Sequence, residues 1–150
     1  MTNFQVVKDE LRKFPNEAVV LPTRKTEYSA GYDFRILENV VLYPGKPYLF
    51  WTDVKWYTQK KNEVLMLTIR SSMAKEGIIL INAPGIVDKD YFNNPSNDGN
   101  IGFLVMNIGK EPYRFDVGER IGQGIITNYN IVTGDKPESE RTGGFGSTGK

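Results

Sequence analysis

Apolar residues in this chain come in short runs, not in the three-and-four spacing of a helix face. Val40 to Tyr43, Tyr48 to Thr52, Val64 to Ile69, Ile78 to Ile81, Ile101 to Met106 and Ile121 to Thr127 are rich in β-branched and aromatic side chains. Proline and glycine fall mostly between the runs, and Pro44-Gly45 is a strong turn signal. The pattern predicts an all-β barrel or jelly roll, with one helical turn near Ser71 to Lys75. Two stretches read as loops. One is the polar segment Phe92 to Asn100 (FNNPSNDGN); the other runs from Thr133 to the end, where Phe145 is almost the only core-forming residue. The expected division is a β-rich core over residues 1–132 and a flexible arm over residues 133–150.

Composition narrows the class. The chain has 150 residues, which suits one domain, and its 8 Phe, 8 Tyr and 2 Trp argue against disorder throughout. The net charge is +1, from 19 basic and 18 acidic residues, and no basic block exceeds Lys60-Lys61. A polynucleotide binder would show a clustered basic stripe, so stable nucleic-acid binding is not expected. A small anion held by a few placed arginines remains open. There is no cysteine and no histidine, which excludes disulfides, Cys/His zinc sites and Ser-His-Asp or Cys-His nucleophiles. Carboxylate, lysine, tyrosine or water chemistry is left, with a hard cation such as Mg²⁺ as the fitting metal. The N-terminus has no long apolar stretch, so neither a signal peptide nor a membrane span is expected, and the cytoplasm is the default compartment.

Four segments have the residue types for chemistry. Gly144 to Lys150 (GFGSTGK) formally fits a phosphate-binding P-loop, but such a loop must open a helix and continue with Ser or Thr, and here Lys150 is last. That reading is rejected. Consecutive small residues can still present backbone N–H groups to an anion, and Phe145 among glycines is a stacking group; the commoner alternative is a disordered polar tail. Arg70-Ser71-Ser72 sets an arginine fork beside two hydroxyls, which suits phosphate oxygens, or else a strand-end charge with a serine helix cap. Asn82 to Tyr91 (NAPGIVDKDY) takes a strand through a turn to Asp88, Asp90 and Tyr91, or is simply an Asp-rich turn. Arg120 to Ile126 (RIGQGII) places two glycines inside a strand, which suggests close backbone approach, a bulge or a tight corner.

Their order is more specific than any one of them. Ala30-Gly31-Tyr32-Asp33-Phe34, Arg70-Ser71-Ser72, Gly85 to Tyr91, Arg120 to Gln123 and Gly143 to Gly149 resemble the five ordered motifs of the trimeric dUTPase family, over a span from about residue 22 to the C-terminus. The resemblance implies a distorted jelly-roll or β-clip subunit, a homotrimer with shared active sites, and Mg²⁺-dependent hydrolysis of dUTP to dUMP and pyrophosphate. That reaction limits uracil incorporation into DNA and supplies dUMP for dTMP synthesis. By resemblance, Asp88 orients and deprotonates the attacking water. An ordinary aspartate, with a pKa of about 3.9, is a weak base at neutral pH, so the role is mostly positioning. Tyr91 packs on the deoxyribose, where a 2′-hydroxyl would clash. Asn82 and the backbone of Ile86 and Val87 read uracil. Arg70, Ser71, Ser72 and Gln123 hold phosphates, with Arg70 and Gln123 counted with Asp88 as catalytic. Asp33 lies near the waters of the metal. In the arm Phe145 stacks on uracil, while Arg141, Gly146, Ser147 and Thr148 close on the terminal phosphates. This sequence departs from the family pattern in places: Ile69 replaces a usual Pro, Gly122 and Gly124 flank Gln123 where Ala and Leu are usual, and Arg141 stands one residue nearer Phe145 than usual.

Three rivals follow. A dCTP deaminase of the same fold would need a general-base glutamate where this chain has Leu104, and leucine cannot shuttle protons. A regulatory binding protein, switched by nucleotide, would not need the hydrolytic residues to be intact, although a second role with a protein partner stays open. A jelly-roll coat or lectin domain would leave five ordered motifs as coincidence.

Overall fold

The computed structural model describes residues 1–141 and 143–145. Twelve strands and one short helix follow one another: β1 (Thr2–Val6), β2 (Thr23–Arg24), β3 (Tyr32–Arg35), β4 (Val40–Leu42), β5 (Pro47–Trp51), β6 (Val54–Thr58), β7 (Glu63–Ile69), α1 (Ser71–Lys75), β8 (Ile78–Leu80), β9 (Gly85–Val87), β10 (Gly102–Asn107), β11 (Tyr113–Phe115) and β12 (Arg120–Asn128). Every strand pairing is antiparallel. The largest sheet runs β2-β3-β12-β7-β9; smaller ones are β5-β10-β8, β1-β6 and β11-β4. The all-β expectation and the single helical turn at Ser71–Lys75 both hold. Strands β1, β2, β3, β6, β9 and β11 lie outside the apolar runs. β1 (TNFQV) and β3 (YDFR) alternate polar with aromatic residues, so their signal is period two rather than continuous hydrophobicity. Among the described residues no helix is long and apolar enough to cross a membrane.

The sheets wrap one core of aromatic and branched side chains. Phe34, Phe50, Phe103, Phe115 and Trp56 are its largest buried members. Phe34 meets Phe103 at 5.4 Å between ring centroids, and Phe50 meets Phe115 edge-on at 5.0 Å, the tilted geometry aromatic quadrupoles favour.

Strand β12 crosses the middle of the largest sheet, and its RIGQGII sequence decides how the core closes. Gly122 and Gly124 face inward. A Cβ on Gly122 would collide with the Phe103 ring and lie 2.7 Å from the Thr68 carbonyl oxygen. A Cβ on Gly124 would lie 2.7 Å from Leu65 and 2.9 Å from Phe34. The glycines therefore mark a close approach, of the core's own rings onto the β12 backbone. We expect Gly122→Ala to destabilise the fold by about 1–3 kcal/mol, because a backbone carbonyl cannot move aside as a side chain can. Thermal melting should fall by roughly 2–4 °C per kcal/mol for a chain of this size. An unchanged melting temperature would contradict the packing described.

Candidate active site

Period-two alternation sends the residue between the two glycines the other way. Gln123 projects from the outer face of the sheet, opposite Asp33 on β3 and Thr68 on β7, and Asp33 in turn faces Thr23 on β2. Arg70 leaves the end of β7 beside this row, and Ser71 and Ser72 open α1. Arg70 is the helix cap and no side chain caps the helix. The serine-cap alternative is therefore not what the structure adopts, and both hydroxyls line the cleft.

That cleft, of about 470 Å³, is lined by Lys25, Asp33, Arg70, Ser71, Ser72, Arg120 and Gln123. Three cations and one carboxylate line it, and two of the cations reach the carboxylate. Arg120 Nη1 donates to Asp33 Oδ2 at 2.8 Å, and Arg70 Nε lies 3.6 Å from Asp33 Oδ1. The aspartate orients both guanidinium groups without neutralising the site. Gly31 lies against Gln123, whose side-chain amide occupies the space a Cβ there would fill.

Lys25 and Arg120 are additions to the residues assigned from sequence. Arg120 precedes Gln123 by three positions, which in an unbroken strand would turn it to the opposite face. A bulge at Ile121 restores it: Arg120 and Gly122 oppose the consecutive residues Arg35 and Phe34. The slip that brings Arg120 to the cleft is invisible in the apolar pattern. Lys25 belongs to a polar, exposed stretch with no periodic signal at all.

A second cleft, of about 510 Å³, lies at the hairpin-like turn from β8 to β9, whose two strands pair with β10 and β7 rather than with each other. Asn82, Pro84, Gly85, Ile86, Val87 and Tyr91 form one wall, and Leu67, Ile101, Gly102 and Leu104 back it. Gly85 pairs with Leu67 across β9 and β7, which makes β9 the edge strand of the largest sheet. Val87 is buried while Ile86 is more than half exposed, so the hairpin offers one side chain outward. Asp88 follows directly, with its carboxylate half exposed. The wall residue Leu104 has no proton to give or take, which removes the position a deaminase would need.

The arm returns to this cleft. Arg141 Nη2 donates to Asp88 Oδ2 at 2.6 Å and Arg141 Nε to Asp90 Oδ1 at 2.7 Å, with the guanidinium 5.8 Å from the centre of the Tyr91 ring. Phe145 lines the cleft and meets Trp51 edge-on at 5.5 Å. Arg141 is thus placed beside the aspartates, away from Arg70 and Arg120. The assignments to Gly146, Ser147 and Thr148 lie outside the described residues.

The two clefts share no residue. Leu67 points inward from β7 to the hairpin cleft, whereas Gln123 points outward from β12 to the cationic one. Within one subunit they are therefore separate: one is lined by apolar side chains with a few polar edges, the other by cations, hydroxyl residues and a glutamine. Among the described residues there is no group of three or more Asp, Glu, His or Cys able to cage a metal.

An all-β subunit with these two half-sites defines a class of protein that binds an aromatic, anionic ligand. The comparisons make it specific. The dUTPase family profile matches residues 17–149. The chain is 40% identical over 139 residues to the deoxyuridine 5′-triphosphate nucleotidohydrolase of Lactococcus lactis subsp. lactis, covering 91% of this chain and 93% of that one. It is 33% identical over 150 residues to the enzyme of the same name from Nautilia profundicola, covering 96% and 100%. The crystal structure of dUTPase from Streptococcus mutans superposes with a TM-score of 0.76 at 34% identity, over 88% of this chain and 99% of that chain. The chain belongs to the dUTPase family.

Arg120→Met tests the cationic cleft. It should weaken binding of inorganic tripolyphosphate by about tenfold in calorimetry, the loss of one charge-assisted contact. Binding at the wild-type level would exclude Arg120 from the anion site.

Proposed function

We propose that this chain is a dUTP diphosphatase whose active site forms where the hairpin cleft of one subunit meets the cationic cleft of another. The observation that carries the reading is that no residue lines both clefts, with Leu67 turned inward from β7 to one and Gln123 outward from β12 to the other. A nucleotide has its base and its phosphates on one short molecule, so in this reading its two ends are held by different subunits. A cyclic assembly supplies the missing half at every interface, and the homotrimer fits that requirement.

The chemistry follows from the residues. The hairpin, with Asn82 and the backbone at Ile86 and Val87, receives the uracil edge, and Tyr91 faces the sugar. Asp88 Oδ2 is held by Arg141, which leaves Oδ1 to orient water towards the phosphate chain and to accept its proton. Arg70, Arg120, Lys25, Ser71, Ser72 and Gln123 stabilise the negative charge that leaves as pyrophosphate. The bond broken joins dUMP to pyrophosphate, and the water oxygen completes the new phosphate end. Phe145 and the rest of the arm then cover the base, which keeps bulk water out. Asp33 is the carboxylate of the cationic cleft that would accept hydrogen bonds from the water shell of a Mg²⁺ ion bound with the triphosphate. When bound, the cation neutralises phosphate charge. Arms over residues 133–150 that close on these sites, and a cytoplasmic location beside the deoxynucleotide pool, complete the reading.

Incubation with dUTP, dCTP, dTTP and UTP in the presence of Mg²⁺ tests the substrate assignment. Pyrophosphate should be released from dUTP alone; ammonia from dCTP would overturn the assignment. Subunit sharing has its own test. Asp88→Asn should lower kcat by at least about a hundredfold, the usual contribution of a positioned base, and Arg70→Ala should also be inactive. Co-expression of the two variants should restore turnover, because some interfaces then combine intact halves. Failure to complement would place both residues in the site of one subunit.

A further inference from the structure

The polar segment between Tyr91 and Ile101 is not a solvated loop. Asn94, Asp98 and Asn100 are buried, at 4%, 1% and 0% exposure. Buried polar groups must be paired, and these are. Lys55, itself buried, sends its Nζ to Asp98 Oδ2 at 2.7 Å and to Asn93 Oδ1 at 2.8 Å. Asp98 Oδ2 also accepts from the Lys8 amide at 2.9 Å. Asn100 exchanges two hydrogen bonds with Asp53, Nδ2 to Oδ1 at 2.8 Å and Asp53 N to Oδ1 at 3.0 Å. Asn94 donates to the Tyr91 carbonyl at 2.8 Å and to Asn97 Oδ1 at 2.7 Å. The segment is a block tied to Lys55 on β6, to Asp53 just before it and to the backbone of Lys8.

This block ends on one hydroxyl. Tyr91 Oη donates to the Asn100 carbonyl at 2.6 Å and accepts from Asn97 Nδ2 at 2.8 Å. Burial pushes the Tyr91 hydroxyl up from its ordinary value, with Asn97 and Arg141 pulling the other way, so it keeps its proton across the neutral range. Its donor is committed, and its far end is pinned from two sides. The ring is left as the part that lines the hairpin cleft.

We infer that Asn97 is a positioning residue for sugar selection: with the Asn100 carbonyl it locks the Tyr91 ring plane, so discrimination between deoxyribose and ribose depends on a loop that lines neither cleft. The inference rests on the reading of Tyr91 as the sugar-facing residue. Selection against a 2′-hydroxyl by clash works only if the clashing ring cannot swing aside. A tyrosine has two free side-chain torsions; burial restrains the inner one, and the paired hydroxyl restrains the tip. Lys55 and Asp98 make the block that carries Asn97 stiff.

The test is a double-mutant cycle on the assembled enzyme, reading kcat and KM for dUTP and for UTP. Asn97→Ala should lower the dUTP-to-UTP ratio of kcat/KM by about tenfold, the factor one buried hydrogen bond carries. The change should come mainly from a lower KM for UTP. Tyr91→Phe, which keeps the ring and removes only the hydroxyl, should match it, and the double variant should lose no more than either single one. A purely structural role for Asn97 would lower the melting temperature and leave the ratio intact, and that result overturns the inference. So does a double variant whose loss is the product of the single losses. If Asn97→Ala does not fold, Tyr91→Phe decides alone, and an unchanged ratio refutes the tether. Tyr91→Ala separates the two levels. A retained ratio there removes Tyr91 from sugar recognition and the inference with it, whereas a lost ratio with tether variants at the wild-type value sinks the inference only.

Discussion

The β12 backbone is squeezed between two demands, and the rest of the molecule is arranged around that. On its inner face Phe103, Phe34 and Leu65 press so close to Gly122 and Gly124 that no Cβ fits. On its outer face Gln123 stands in a row with Asp33 and Thr68. Because alternation along a strand is strict, the core packing on one side holds the anion site on the other. A bulge at the start of the same strand then brings Arg120 to Asp33. Core and site share a single piece of backbone, so a change in the core aromatic rings would move the cationic cleft.

The same alternation underlies the proposal that subunits share their sites. Leu67 and Gln123 sit on adjacent strands of one sheet but point to opposite sides, and each lines a different half-site. The described part of the arm belongs to one of these clefts: it carries Arg141 to Asp88 and Asp90 and Phe145 to the hairpin cleft.

The hairpin side is stiffened differently. Where the outer row is held by ladder hydrogen bonds, Tyr91 is held by a polar block of Lys55, Asp98 and four asparagines, of which Asn94 and Asn100 are buried. Such a network gives rigidity only when every member is paired, and among its side chains the pairing is dense. Asn93 and Asp98 adopt left-handed backbone angles of 56° and 59°, which Asn and Asp tolerate better than most residues. That helps explain why a segment composed mainly of Asn, Asp, Gly and Ser is ordered.

Much of this was legible beforehand. Short apolar runs marked β4, β5, β7, β8, β10 and β12, because a buried strand needs no partner to be recognised by its composition. The order of five motifs marked Asp33, Arg70, Gln123, Asp88 and Tyr91, because chemistry demands particular side chains in any context. The strands β1, β3 and β6, the polar block at residues 92–100, and the placement of Arg120 and Lys25 were not legible. Each depends on what lies across the fold: a strand register, a bulge, or a buried lysine 38 positions before the asparagine it binds. By itself the sequence determined which residue types are available for catalysis and that they lie on strands and turns. Only the tertiary structure decided which of them share a cleft, because side-chain direction in a sheet is set by register, and register is a relation between strands.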